Sequence, residues 1–169
     1  MTVAYVPDLS RDLVLDRIVD VPPALVWLAW TSPDHLKQWF CPRPWTTPVC
    51  EIDLRPGGRF HTVLAGPGGE RSEHVGCYLE VEPGSRLVWT TALVPGFRPA
   101  GTPDPSGVPH FTAIITIEPH GAGTKYRAVV MHRSPEGRAT HDTMGFHDGW
   151  GAAFAQLVIT ELRASPSER

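Results

Sequence analysis

The sequence has no excess of basic residues and no long apolar run, and each absence excludes a class of function. Its 15 Lys and Arg residues against 18 Asp and Glu residues leave a net charge of −3 at pH 7. Without a basic surplus there is little to hold a phosphate backbone, so no nucleic acid partner is expected. No stretch reaches the roughly 18 apolar residues of a membrane helix, and the first residues do not resemble an export signal. We therefore expect a cytoplasmic protein without membrane contact.

The cysteine pattern and the absence of catalytic motifs are equally restrictive. Cys41, Cys50 and Cys77 are odd in number and form no C-x-x-C pair. This pattern favours reduced thiols over a disulfide framework or a thiolate metal site. There is no nucleophile elbow, phosphate-binding loop, dinucleotide fingerprint or pair of catalytic carboxylates. We therefore predict no cofactor, and no motif independently supports catalysis.

Proline and glycine are abundant, and their positions predict turns between strands. At 169 residues the chain has the size of one domain, which we assign to 1–169, and it is long enough to bury a core without metal or disulfides. Its 18 prolines and 16 glycines lie mainly between apolar runs. Such clusters are typical of turns between strands.

The order of the predicted elements indicates an α+β protein. Alternation predicts a first strand at residues 13–20, and the prolines that follow begin two short helices at 24–30 and 33–39. Arg55-Pro56-Gly57-Gly58 then predicts a hairpin turn whose glycines supply positive φ. Further strands are predicted in the ranges 49–54, 59–64, 72–81, 86–92, 110–118 and 124–132, with a long loop at 94–109. The last region, 138–165, is predicted to be helical, with its regular part starting near Phe146.

This order and five short motifs resemble one known superfamily. The motifs are Val21-Pro22-Pro23-Ala24-Leu25-Val26-Trp27, Trp39-Phe40, Asp53-Leu54-Arg55-Pro56-Gly57-Gly58-Arg59-Phe60, Arg86-Leu87-Val88-Trp89 and Met144-Gly145-Phe146 followed by Gly149-Trp150. Together they resemble the START/Bet v 1-like (SRPBCC) superfamily, and within it the bacterial Hsp90-ATPase-activator-homologue-like, or polyketide cyclase-like, family.

The resemblance implies a helix-grip fold. In that fold a seven-stranded curved antiparallel sheet wraps around a long C-terminal helix, two short helices follow strand 1, and a cavity lies between sheet and helix. Members of the superfamily bind lipids, hormones or polyketides, and some catalyse cyclisation or hydrolysis. The resemblance also makes a homodimer plausible. A fold shared by such different activities does not by itself assign a function.

Period-two alternation identifies side chains that face the expected cavity. It directs Tyr126 and His132 inward on one strand, and Phe60, Trp89 and Phe111 inward on three others. Aromatic rings can line a ligand cavity, although core packing is their commoner use. The complete set of expected ligand-binding residues is Trp39, Phe40, Trp45, Phe60, Trp89, Phe111, Tyr126, His132, Met144, His147 and Trp150.

Two histidines are candidate acid–base groups. His132 either bonds a loop carbonyl at the end of its strand or contacts ligand, and His147 would pair with it if it turned toward the pocket. The His141-Asp142 and His147-Asp148 pairs lack the spacing of a zinc motif, so no metal site is predicted. Asp142 or Asp148 is instead expected to cap the last helix.

Three functions are compatible with these features. The first is binding of a hydrophobic small-molecule ligand in the cavity, with His132 and Trp N–H groups orienting it. The second is an enzyme of cyclase or hydrolase type acting on such a ligand, with His132 or His147 as general base. The third is an Hsp90 co-chaperone-like module that binds a protein partner through its surface.

Overall fold

The structure, a computed structural model, is a seven-stranded antiparallel sheet whose inner face packs against α-helices. It describes residues 4–103 and 106–168, with side chains up to residue 163. The strands are β1 (Asp12–Val19), β2 (Thr46–Ile52), β3 (Arg59–Ala65), β4 (Arg71–Glu82), β5 (Arg86–Thr90), β6 (Leu93–Val94), β7 (Arg98–Pro99), β8 (Phe111–His120) and β9 (Gly123–His132). The helices are α1 (Pro23–Thr31), α2 (Pro33–Leu36), α3 (Pro135–Thr143) and α4 (Phe146–Glu168).

Antiparallel pairing in the order β1-β9-β8-β5-β4-β3-β2 builds the main sheet. Its register places Leu13, Val130, Ala113, Trp89 and Tyr78 side by side across five strands. All five are buried and belong to one core cluster. Because side chains alternate between the two faces of a strand, this row marks the inner face of the sheet.

Helix α4 lies against that inner face. Its Ala153, Phe154 and Leu157 are buried in the same core cluster, whereas Ile159 on the same helix is half exposed. The Tyr126 ring of β9 stacks on Phe154 with ring centroids 4.0 Å apart. The predicted α+β helix-grip architecture, with two short helices after strand 1, is therefore confirmed.

The two glycines in the turn between β2 and β3 are required for different reasons. Gly57 has a φ of +81°, in the region that glycine adopts without strain. Gly58 does not need positive φ, contrary to our expectation for both glycines. It needs space, because a Cβ at Gly58 would collide with the Asp53 carbonyl oxygen.

Two further parts of the chain differ from the prediction. The long loop at 94–109 is entered by a small hairpin of β6 and β7, and its residues 104 and 105 lie outside the described residues. The predicted last helix is two helices, because Gly145 adopts a φ of +96° and breaks the chain between α3 and α4. The regular part starts at Phe146, as predicted.

Candidate functional site

A cavity of about 260 Å³ lies between the inner face of the sheet and α4. Its walls come from α1, from the segment between α2 and β2, from five strands and from both C-terminal helices. The lining is mostly apolar and aromatic. It consists of Trp30, Trp39, Phe40, Cys41, Pro42, Phe60, Thr62, Leu64, His74, Gly76, Trp89, Thr91, Val108, Phe111, Tyr126, His141, Gly149, Trp150, Ala153 and Phe154.

Seven of the eleven residues expected to bind ligand line this cavity. They are Trp39, Phe40, Phe60, Trp89, Phe111, Tyr126 and Trp150. The other four, Trp45, His132, Met144 and His147, are not among its lining residues. Alternation along the strands placed Phe60, Trp89, Phe111 and Tyr126 because a strand has only two faces.

The four remaining residues have identifiable surroundings. Trp45 lies beside the turn after β3, where a Cβ at Gly66 would come within 3.0 Å of its ring. Met144 is half exposed at the end of α3. The imidazole of His147 is 51% exposed, and its Nε2 lies 3.9 Å from the Asp142 carboxylate. His132 is buried behind a second histidine, His141.

Edge-to-face aromatic contacts join the cavity walls. Trp89 lies 5.0 Å from Phe60 and 5.3 Å from Phe111, measured between ring centroids. Trp30 and Trp39 approach to 4.9 Å on the helical side. Such contacts add to apolar burial and hold each ring in a defined orientation. The cavity therefore has walls of fixed shape.

Gln156 of α4 fastens the segment that covers one side of the cavity. Its Nε2 donates to the carbonyl oxygens of Trp39 (3.2 Å) and Cys41 (2.8 Å), and its Oε1 accepts from the N–H of Arg43 (2.9 Å). One side chain thus satisfies three backbone groups of residues 39–43, a segment without regular structure. Phe40, Cys41 and Pro42 are held against the cavity in this way.

A second contact joins α4 to α2. His35 Nδ1 lies 2.8 Å from the Oε1 of Glu161, whose side chain is 1% exposed. A carboxylate at this depth requires a partner, because an isolated buried charge is costly. The pair therefore links the short helices after β1 to the C-terminal helix.

His132 and His141 form a buried pair at the end of β9. His132 Nδ1 lies 2.9 Å from the carbonyl oxygen of Arg11, and His132 Nε2 lies 2.9 Å from His141 Nδ1. Burial lowers the pKa of His132, and burial together with the neighbouring His132 lowers the pKa of His141 to about 4. Both rings are therefore neutral at pH 7.

The hydrogen bonds determine where the protons of this pair are. A carbonyl oxygen only accepts, so His132 Nδ1 carries its proton and His132 Nε2 is an acceptor. His141 Nδ1 is consequently the donor in the contact between the rings. A neutral His141 with its proton on Nδ1 has an unprotonated Nε2, and His141 lines the cavity.

Other polar groups near the cavity differ in availability. The Trp39 N–H donates to the carbonyl oxygen of Ala29 at 3.0 Å, so it is used by the fold. Among the described residues, the buried Trp89 N–H and Tyr78 hydroxyl have no hydrogen-bond partner. Burial raises the pKa of the Cys41 thiol, which also contacts the hydroxyl of Thr47. The three cysteines are free and buried.

Sequence reasoning missed His141 as a cavity residue. His141 lies on α3, which the sequence suggested only as the start of one long helix. Because α3 itself has only nine residues, it carries no long apolar stripe that would predict which of its faces is buried. The placement of His141 depends on Gly145, whose positive φ separates α3 from α4. Ser134 caps α3 by accepting from the Gly137 N–H at 3.1 Å, and Asp148 lies in the first turn of α4.

Two further findings bear on the kind of site. Across residues 4–103 and 106–168, no group of three or more His, Cys, Asp or Glu side chains is arranged to hold a metal ion. Among the helices of that same part of the chain, none combines the length and apolar character needed to cross a bilayer.

A family of known proteins matches most of this chain. The sequence profile of a family described as "Activator of Hsp90 ATPase homolog 1-like protein" matches residues 20–160. Among curated proteins, none matches the chain.

Solved structures from several bacteria have the same fold. Protein NE0264 of Nitrosomonas europaea is 44% identical, covers 93% of this chain and 97% of its own, and superposes with a TM-score of 0.86. A protein of Rhodobacter sphaeroides is 22% identical over 94% of this chain and 97% of its own, with a TM-score of 0.79. A protein of Mycobacterium smegmatis is 23% identical over 89% and 90%, with a TM-score of 0.73. At these last two identities the likeness concerns the fold alone.

Proposed function

Because the chain belongs to the Activator of Hsp90 ATPase homolog 1-like family of the START/Bet v 1-like superfamily, whose fold generally binds ligands, we propose that it binds a hydrophobic small molecule. The ligand occupies the cavity between the inner face of the sheet and α4. The observation that carries this proposal is the cavity of about 260 Å³ with a mostly apolar lining that is rich in aromatic side chains.

Energetics favour an apolar ligand of modest size. The volume of about 260 Å³ lies just below the range of about 300 to 1,000 Å³ typical of ligand pockets, so this cavity suits a small molecule of two or three aromatic rings. Burial of apolar surface contributes about 25 cal/mol per Å², and the aromatic walls supply that surface without rearrangement. Few polar groups are available in the lining, so hydrogen bonds orient the ligand rather than supply most of its affinity.

The enzyme hypothesis has weaker support. His132 does not line the cavity, and His147 is half exposed beside Asp142. His141 lines the cavity, but a base whose conjugate acid has a pKa of about 4 accepts protons weakly at neutral pH. These observations favour a ligand-binding role over general-base catalysis.

Gly149 provides a direct test, because it lines the cavity and a Cβ there would meet no heavy atom within 4 Å. The assay is fluorescence titration with the neutral dye N-phenyl-1-naphthylamine. The wild type is expected to bind it saturably at one site, and Gly149→Leu is expected to weaken binding at least tenfold by filling the space. Gly149→Ala is the matched control and should retain most of the affinity.

Native mass spectrometry of protein purified from its own host identifies the ligand. A co-purifying small molecule is expected for the wild type and absent for Gly149→Leu. Equal dye affinity in the wild type and in Gly149→Leu would contradict binding in this cavity.

A further inference from the structure

His132 and His141 form a hydrogen-bonded pair, and His141 lines the cavity. His141 is 6% exposed, and its ring lies 5.3 Å from the ring of Phe111, another lining residue, measured between centroids. Its Nδ1 is occupied by His132. Its Nε2 has no hydrogen-bond partner in the described part of the chain and is the ring nitrogen left for a ligand.

The identity of Nε2 as an acceptor follows from the Arg11 carbonyl. That oxygen cannot donate, so it places a proton on His132 Nδ1, and His132 Nε2 in turn requires the proton of His141 Nδ1. A free histidine can choose either tautomer, whereas this chain of two contacts allows only one for the neutral pair. The neutral pair therefore leaves Nε2 of His141, a residue that lines the cavity, as an acceptor.

We propose that Nε2 of His141 is the hydrogen-bond acceptor that selects aromatic ligands carrying a neutral hydroxyl group, and that His132 is the positioning residue that keeps it an acceptor. This inference rests on the proposed function of the cavity. A ligand that lacks a donor would leave a desolvated acceptor unpaired, which costs affinity. An ammonium donor is disfavoured, because the surrounding walls are apolar and burial of a charge is costly.

The aromatic part of the preference comes from the neighbouring rings. The Phe111 ring lies 5.3 Å from His141, 6.0 Å from Trp150 and 5.3 Å from Trp89, measured between centroids, and all four residues line the cavity. A flat ring that reaches His141 with its hydroxyl therefore passes along a wall of edge-to-face aromatic groups, an arrangement that also suits its own quadrupole.

The test compares two probes of the same ring system, 2-naphthol and 2-methoxynaphthalene, by displacement of N-phenyl-1-naphthylamine. Methylation removes the hydroxyl donor but also increases the hydrophobicity of the probe. The informative quantity is therefore the ratio of the affinities for 2-naphthol and 2-methoxynaphthalene, compared between the wild type and each variant. We expect the preference of the wild type for 2-naphthol to exceed that of His141→Leu by about tenfold. His141→Gln should retain part of the preference, because its amide oxygen still accepts, and it serves as the variant closest in polarity.

The role of His132 has a spectroscopic signature. Long-range proton–nitrogen correlation spectra at pH 7.5 are expected to show the Nδ1–H tautomer for both His132 and His141. In His132→Leu we expect His141 to lose this single tautomer and the preference for 2-naphthol to fall toward that of His141→Leu. A purely structural role of His132 would leave the tautomer of His141 unchanged.

The outcomes separate this inference from the proposed function. If both probes displace the dye and the affinity ratio is the same in the wild type, His141→Leu and His141→Gln, the selection by His141 is wrong and cavity binding stands. If neither probe nor dye binds the wild type, both proposals fall. An Nε2–H tautomer of His141 in the wild type would also overturn the inference.

Discussion

The neutral state of the buried histidine pair predicts a specific loss of stability in mild acid. His141 has a pKa of about 4 in the folded protein, against 6.5 for an unperturbed histidine, chiefly because burial disfavours its charged form. A lowered pKa means that the unfolded chain takes up a proton between pH 6.5 and 4 that the folded chain does not. Stability from this group is therefore fully present above pH 6.5 and is lost as pH falls toward 4.

The magnitude follows from the two pKa values. Integration of proton uptake between pH 7.5 and 4.5 gives a loss of about 2.5 kcal/mol from His141, and the lowered pKa of His132 acts in the same direction. Several carboxylates also titrate in this range, so wild type alone does not isolate the effect. We expect the stability difference between the two pH values to be about 2 to 3 kcal/mol smaller in His141→Gln than in the wild type.

The assay is urea denaturation at pH 7.5 and 4.5, followed by tryptophan fluorescence. His120→Gln is the matched control, because His120 is exposed at the end of β8 and the same substitution should preserve the wild-type pH dependence. A pH dependence of His141→Gln equal to that of the wild type within about 0.5 kcal/mol would refute the assignment of a neutral, buried pair.

Three further predictions concern the contacts around the cavity. Gln156→Leu removes three hydrogen bonds to residues 39–43, so we expect it to destabilise the fold by about 3 kcal/mol in urea denaturation and to speed release of N-phenyl-1-naphthylamine. Gln38→Leu, whose amide makes one exposed contact with the Asp34 carbonyl, is its control and should change stability by less than about 0.5 kcal/mol. His35→Leu leaves Glu161 buried without its partner and should lower the free energy of unfolding by about 3 kcal/mol. The double variant with Glu161→Leu should recover part of this loss, and a double variant less stable than His35→Leu would contradict this account. Gly149→Ala should raise stability by about 0.5 to 1 kcal/mol, because residue 149 is helical and alanine favours a helix over glycine. Gly145→Ala should lower stability by about 1 kcal/mol, because Gly145 has a φ of +96°. Equal effects of the two substitutions in thermal denaturation would contradict these backbone conformations.

Local patterns predicted the four aromatic strand residues of the cavity wall. Phe60, Trp89, Phe111 and Tyr126 belong to strands, where a side chain has two directions and the charged neighbours mark the outer one. The helix start at Phe146 was also predictable from local sequence, because Gly145 directly before it is a poor helix former.

The histidines show where local reasoning fails. Alternation directed His132 inward, and it is buried, but it says nothing about which residue stands between His132 and the cavity. His147 follows Phe146 on α4, where the rotation of the helix exposes one of the two and buries the other. Such choices depend on contacts between residues far apart in the chain, and alternation carries no information about them.

The amino-acid sequence by itself determined the succession of the seven main strands and the two short helices, the antiparallel character of the sheet and the aromatic composition of its inner face. These features depend on turn residues and on the period of apolar side chains. The tertiary structure alone decided that His141, rather than His132 or His147, lines the cavity, and that Gln156 fastens the segment opposite α4. The positive φ of Gly145 and the carbonyl of Arg11 determine the place and the proton of His141. Each acts through a turn of the backbone or a hydrogen bond across the fold, and neither has a repeating pattern that a sequence would display.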